Sequence, residues 1–223
     1  MKFLTKILLC TLLAGGLFAS LPAFAMPLER RIVVIDAGHG GWDPGMVSGK
    51  VDEKDINLQI AKKVQAHLEL GGATVIITRV DDSDLSKSKS GDMAVRRHIA
   101  NASGADIFVS IHQNAFGKSS VHGAQVFYFN ESDNSKKLAE AIQSTLVSFA
   151  DPGNRFKARA NSNYYVLKQT TMPAVLVECG FLTNPSEKAR LLTDAYQEKI
   201  AWAIYMGIVN YFTADSEAEN PAQ

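Results

Sequence analysis

Two histidines of this chain stand close behind short apolar runs: His39 in IDAGHGGWDPG (Ile35–Gly45) and His112 in FVSIHQNA (Phe108–Ala115). Neutral imidazole is a common ligand for zinc. Two acids complete the set. Glu53, in VDEKDINL, lies between the glycine-rich stretch and the next helix-patterned segment. Glu178 ends AVLVE, where a carboxylate after Val-Leu-Val is costly to bury unless it is employed. A catalytic zinc takes three protein ligands and leaves a fourth position for water. Two histidines and two glutamates therefore supply three ligands and one general base.

Each residue also has an ordinary reading. A histidine among glycines is a common loop residue. Glu53 is an acid that a helix N-terminus favours, and Glu178 could pair with an arginine such as Arg97 or Arg79. The other chemistries of the glycine-rich stretch fail on particular residues. A dinucleotide loop needs G-x-G-x-x-G opening a helix, but Asp43 stands where the third glycine belongs. A P-loop needs a lysine and a hydroxyl that are not there. His39-Gly40-Gly41-Trp42 is close to the oxyanion motif of esterases, yet no G-x-S-x-G nucleophile elbow accompanies it. Of the five histidines, His67 and His98 fall inside helical patterns and read as ordinary helix residues.

The elements that must position these groups follow from periodicity. Arg31–Ile35 is a continuous apolar run, as expected for a strand covered on both faces. Asp55–Leu70 carries Ile56, Ile60, Val64 and Leu68 at four-residue spacing and stops at Gly71-Gly72, which predicts a helix. Ala73–Thr78, Asp106–Ile111, Ala124–Phe129, Tyr164–Leu167 and Ala174–Glu178 read as further strands. Asp92–Ser103, Ser135–Phe149, Pro185–Leu192 and Ala195–Phe212 read as helices, and Asp151–Asn163 as loop. The expected fold is a single α/β domain, a mostly parallel twisted sheet of about six strands with helices on both faces. Parallel strands put their carboxyl ends on one edge, where ligand sites gather. His39, His112 and Glu178 all fall there, and convergence favours the chemical reading.

Composition bounds the setting. Lys2 and Lys6, the apolar run ILLCTLLAGGLFASL and the small-x-small site Ala23-Phe24-Ala25 describe a secretory signal peptide over 1–25. The protein is therefore expected to be exported, with no stable membrane span after cleavage. The two leader lysines removed, 21 basic residues face 23 acidic ones, which gives no basic surface for nucleic acid. Cys179 alone remains among the cysteines, so no intramolecular disulfide is expected. Residues 26–213 are read as one catalytic domain and 214–223, small, polar and acidic, as a disordered tail.

The ordered set IDAGHGGWDPG, EKDINL, TRVDD, RRHIAN, ADIFVSIHQNA, HGAQVFY and PAVLVECGFLTNPSE resembles the zinc-dependent N-acetylmuramoyl-L-alanine amidases, the Amidase_3 family of cell-wall hydrolases, from about Arg31 to Phe212. The resemblance implies a zinc ion on His39, Glu53 and His112, with Glu178 as the catalytic glutamate. It implies hydrolysis of the amide between the lactyl group of N-acetylmuramic acid and L-alanine in peptidoglycan. Asp36 and Asn114 lie in the matching motifs, as supports for a ligand histidine or its loop or as turn caps. His122 is a candidate substrate contact, and Arg79 and Arg97 are partners for muropeptide carboxylates or for scaffold acids. Strand alternation points Cys179 away from Glu178, as a buried hydrophobe. Only 65 residues separate His112 from Glu178, so no inserted blocking helix is expected. With no further glycan-binding domain, wall targeting falls to the catalytic domain or to a protein partner, which could also act as activator. The chain is most similar to the sporulation and germination amidases of the CwlD type. A catalytically silent wall-binding domain, or a zinc hydrolase of another wall bond, are the alternatives.

Overall fold

The computed structural model of the protein describes residues 26–219. The expected signal peptide and the last four residues lie outside the described residues. The elements run, in chain order, β1 (Ile32–Ala37), β2 (Val47–Ser48), β3 (Val51–Asp52), α1 (Glu53–Leu70), β4 (Thr74–Ile77), α2 (Lys89–Ala102), β5 (Ile107–Asn114), β6 (Gln125–Tyr128), α3 (Asp133–Thr145), β7 (Arg159–Ala160), α4 (Tyr165–Gln169), β8 (Ala174–Phe181), α5 (Pro185–Leu191) and α6 (Asp194–Glu219). A π-helical turn, Leu146–Ala150, continues α3.

The main sheet has the order β4-β1-β5-β8-β6-β7. Its first four strands are mutually parallel; β6 runs antiparallel to β8, and β7 parallel to β6. Side chains alternate between faces, and the two faces carry different helices. On one face Val33, Ile35, Val109, Ile111, Val175 and Val177 pack with α1, α3 and α6 through residues such as Ile60, Ile142 and Ile204. On the other, Val34, Phe108, Leu176 and Phe127 pack against Ala100 of α2 and Val166 and Leu167 of α4. The parallel α/β architecture expected from periodicity is present, helices on both faces included.

This alternation selects the face that carries the chemistry. Asp36 follows Val34 by two residues, Ser110 and His112 follow Phe108, and Glu178 follows Leu176, so all four share the α2/α4 face. The register sets Asp36 beside Ser110 and His112 beside Glu178. Cys179 sits in the core of the opposite face, as alternation required.

Four local expectations need correction. The segment read as a strand at Tyr164–Leu167 forms helix α4, because Val166 and Leu167 are consecutive and both buried in one cluster. A half-buried strand would send them to opposite faces. Two residues of the loop-like Asp151–Asn163 segment add the edge strand β7. Helix α1 starts at Glu53 itself, fed by the β2–β3 hairpin, so Glu53 is a helical residue. Helix α6 continues past Phe212 to Glu219, into the tail expected to be disordered. Alanine and glutamate are good helix formers, and no proline lies between Phe212 and Pro221.

Candidate metal centre

At the carboxyl end of β1 the chain turns through Gly38 and His39. A Cβ on Gly38 would lie 2.2 Å from Cε1 of His112, so the close approach of β1 to that imidazole requires glycine. His39 takes a positive φ of 61°, a conformation that costs a side-chain-bearing residue energy and persists only where its surroundings impose it. Two buried arginines do so. Arg79 donates from Nε to Ala37 O and from Nη2 to Gly38 O. Arg96 donates from Nη1 to Ala37 O and from Nη2 to His39 O at 2.7 Å. Asp36, 1% exposed, anchors Arg96 by an ion pair and accepts from Thr78 Oγ1 and Ser110 Oγ.

The turn brings His39 to Glu53 and His112. One ligand atom from each lies within 4.8 Å of the others, the spacing of donors that share one cation. His39 Nε2 is 3.4 Å from Glu53 Oε2, and His112 Nδ1 is 3.0 Å from Glu53 Oε1. The other ring nitrogen of His39 faces Asp43 Oδ2 at 2.8 Å, a pairing that fixes the tautomer and turns Nε2 toward the cluster. Glu53 also accepts from Met46 N, Gln113 N and Asn57 Nδ2. Burial pushes its carboxyl up, but the hydrogen bonds and positive charge of His112 and His39 outweigh this and hold it well below the usual carboxylate range. Two imidazoles and an ionised carboxylate suit a divalent cation of borderline softness.

Glu178 shares a cavity of about 310 Å³ with this cluster. It is 8% exposed, and its Oε2 has no hydrogen-bond partner. Burial pushes its carboxyl up to about 7; His112 opposes the shift and Glu53 adds to it. Tyr164, Tyr165 and Val166 wall the same cavity. Of the helices between His112 and Glu178, α3 packs on α6 across the sheet and the short α4 supplies part of this wall.

Residues 33–210 match the Amidase_3 family, described as N-acetylmuramoyl-L-alanine amidase. The chain belongs to this amidase family. The germination-specific N-acetylmuramoyl-L-alanine amidase of Bacillus subtilis (strain 168) is 39% identical over 198 residues, 85% of this chain and 83% of the relative. The CwlD amidase of Clostridioides difficile, solved in complex with the GerS lipoprotein, superposes with a TM-score of 0.81 at 42% identity, covering 83% of this chain and all of that one. An N-acetylmuramoyl-L-alanine amidase of Clostridium difficile 630 gives 0.76 at 39%, covering 82% of this chain and 97% of the other.

Within this amidase domain the structure brings His39, Glu53, His112 and Glu178 together, with Asp36 beneath them. Asp36 acts on the loop backbone through Arg96 and does not touch an imidazole. Asn114 caps its own turn, accepting from Ala115 N, and lines a neighbouring cavity. His122 is exposed and lies with Arg155 in a separate depression, away from the metal donors. Arg97 lines neither cavity; Arg96, one helical step away, is the arginine that reaches the site. The buried residues of α2 are Arg96 and Ala100, one turn apart, and Arg97 is rotated off that line. Arg96 and Asp43 are not singled out by the sequence, although Arg96 stands four residues before Ala100 and Asp43 four after His39.

Proposed function

We propose that the chain is an exported zinc amidase that hydrolyses the amide between the lactyl group of N-acetylmuramic acid and the L-alanine of the stem peptide in peptidoglycan. One observation carries this reading. At the carboxyl edge of a parallel sheet, in a member of this family, a His39–Glu53–His112 donor cluster shares a cavity with a second buried glutamate whose Oε2 has no partner. His39, Glu53 and His112 would hold the zinc. When bound, zinc supplies Lewis acidity to the scissile carbonyl and to a water. Glu178 takes the proton of the attacking water on its carboxylate and returns it to the leaving nitrogen of L-alanine. The walls at Tyr164, Tyr165 and Val166 narrow the access of other water to the cavity.

Likeness to a germination-specific amidase and to CwlD supports action on spore cortex. The CwlD–GerS complex supports a protein partner for this chain as well. An extracytoplasmic location suits the substrate and the leader-like residues 1–25. Among the described residues no helix is long and apolar enough to cross a membrane.

The test incubates purified protein, metal-free and zinc-loaded, with defined muropeptides and sacculi. Free N-terminal L-alanine appearing only with zinc is the expected result. New reducing ends, or cleavage inside the stem peptide, overturn the assignment.

A further inference from the structure

Beside the catalytic cavity lies a second one of about 710 Å³, and Tyr164 is a wall of both. The two differ in charge. The catalytic cavity is lined by five acids, and of its two cations Arg96 is already tied to Asp36 and Asp92. Among the described residues, Arg159 is the only charged one lining the second cavity, beside Phe116, Phe127 and Phe156 and the amides of Asn161 and Asn163. Arg159 is exposed on β7 and makes no ion pair among the described residues.

The sheet register relates Arg159 to the reacting groups. Arg159 pairs with Phe127, Phe127 with Leu176, and Glu178 is two residues beyond Leu176 on the same face. Strand spacing of about 4.8 Å and a rise of about 3.4 Å per residue put the Arg159 and Glu178 backbones roughly 12 Å apart. Tyr164 senses both. Burial, mainly, pushes its phenol up to about 12; Glu178 adds to the shift and Arg159 opposes it.

Before cleavage, the two sides of the scissile amide differ in charge in the same way. Muramic acid has its carboxyl locked in the scissile amide, so the glycan side is neutral. The stem peptide carries free carboxylates, the first on the γ-linked glutamate next to L-alanine. We infer that the Arg159 cavity is the stem-peptide subsite, with the guanidinium as receptor for a stem carboxylate, and that the glycan lies on the other side of the scissile bond. An extended peptide covers 12 Å in about three or four residues, and the arginine side chain shortens that span. The carboxylates within reach are therefore those nearest the cleaved bond. A planar guanidinium can take a carboxylate through two parallel hydrogen bonds, which suits recognition at an otherwise neutral, partly aromatic surface.

This inference rests on the amidase reading, and its test separates the two. Zinc-loaded enzyme is given two synthetic muropeptides that differ only in a free or an amidated glutamate α-carboxyl. Wild type is expected to show a KM about fivefold lower for the acid. Arg159→Gln should raise KM for the acid about fivefold and bring the two substrates level, while Arg159→Lys keeps part of the preference. In parallel, titration calorimetry measures binding of the free peptide L-Ala-γ-D-Glu, without turnover. Weaker binding to Arg159→Gln supports the subsite. Equal KM values and equal peptide binding in wild type and Arg159→Gln overturn it. Arg159-dependent peptide binding in a protein that never cleaves the lactyl amide would instead overturn the amidase reading and leave the subsite standing. Arg159 is exposed on an edge strand, and unchanged thermal unfolding checks that the variants fold.

Discussion

Two buried glutamates face the same two histidines, and their surroundings are opposite. Glu53, on the α1 side, accepts hydrogen bonds from two backbone amides and an asparagine and stands against both imidazoles. Glu178, on the β8 side, is buried to a similar degree, yet one of its oxygens has no partner. The donors around the first hold its carboxyl well below the usual range; burial, with Glu53 adding to it, pushes the second's up to about 7. Environments that drive two carboxyls apart separate a fixed anion from a group able to carry a proton. Burial alone therefore does not distinguish the proposed ligand from the proposed base. Hydrogen-bond supply does.

The largest expected effect exchanges the two roles. Glu178→Gln should retain zinc at the wild-type stoichiometry and lose about 10²–10⁴-fold in kcat, the usual contribution of a general acid–base group. Glu53→Gln should lose zinc affinity as well as turnover. Metal content by atomic emission, set beside turnover for each variant, makes the check. If Glu178→Gln sheds its metal, or Glu53→Gln keeps it and turns over, the contrast between the two glutamates collapses.

A smaller effect tests what holds the Glu53 side in place. Asp36 neutralises buried Arg96, which grips the carbonyls of Ala37 and His39. Removing one partner of a buried pair costs about 3–5 kcal/mol, so Asp36→Asn should be that much less stable near neutral pH. The pH dependence has a defined sign. Burial raises the Asp36 carboxyl, but Arg96, Ser110 and Thr78 outweigh it and hold the folded-state value below 3.8. The contribution of such a group is complete above 3.8 and is lost as pH falls through the lower folded-state value. Urea unfolding of wild type and variant should show a constant gap from pH 5 to 8 that closes on further acidification. A gap unchanged down to pH 3 would show that Asp36 acts through packing alone.

Much of this arrangement was legible in the sequence, for physical reasons that also mark where legibility stopped. Apolar runs followed by His39, His112 and Glu178 are readable because a parallel sheet puts all its strand ends on one edge. Glu53 was readable as a residue type in the right segment, although its place as the first residue of α1 needed the β2–β3 hairpin. The sequence points to Arg97 and not to Arg96, because adjacent helical positions differ by 100° and charge alone does not say which one faces inward. Helix α4 reads as a strand from sequence because five residues are too few to display a period. Arg159 gave no signal, since a two-residue edge strand at the end of a loop has no pattern to read.

The smallest effect concerns Asp43, whose role depends on a turn and not on any period. His39 reaches Glu53 through Nε2 only because its φ is positive and its Nδ1 is held by Asp43 at 2.8 Å. Asp43 also accepts from Gly45 N through its other oxygen, so one carboxylate ties the histidine to the far arm of the turn. Gly45 is itself confined: at a φ of 67°, a Cβ there would lie 2.6 Å from Glu53 Oε2. Asp43→Asn keeps the shape but removes the charge, and its amide can present NH2 to Nδ1 and favour the wrong tautomer. Loss of such an outer partner weakens metal binding by about 10–100-fold, less than loss of a ligand. Competition with a chromophoric chelator gives the zinc affinity, and zinc at saturation should restore most of the turnover. Full affinity in Asp43→Asn would mean that Arg79, Arg96 and the glycines suffice to aim His39. Affinity lost as completely as in His39→Ala would make Asp43 part of the donor set. Either result would redraw the line between the donor-rich side of the cavity and the bare carboxylate opposite it.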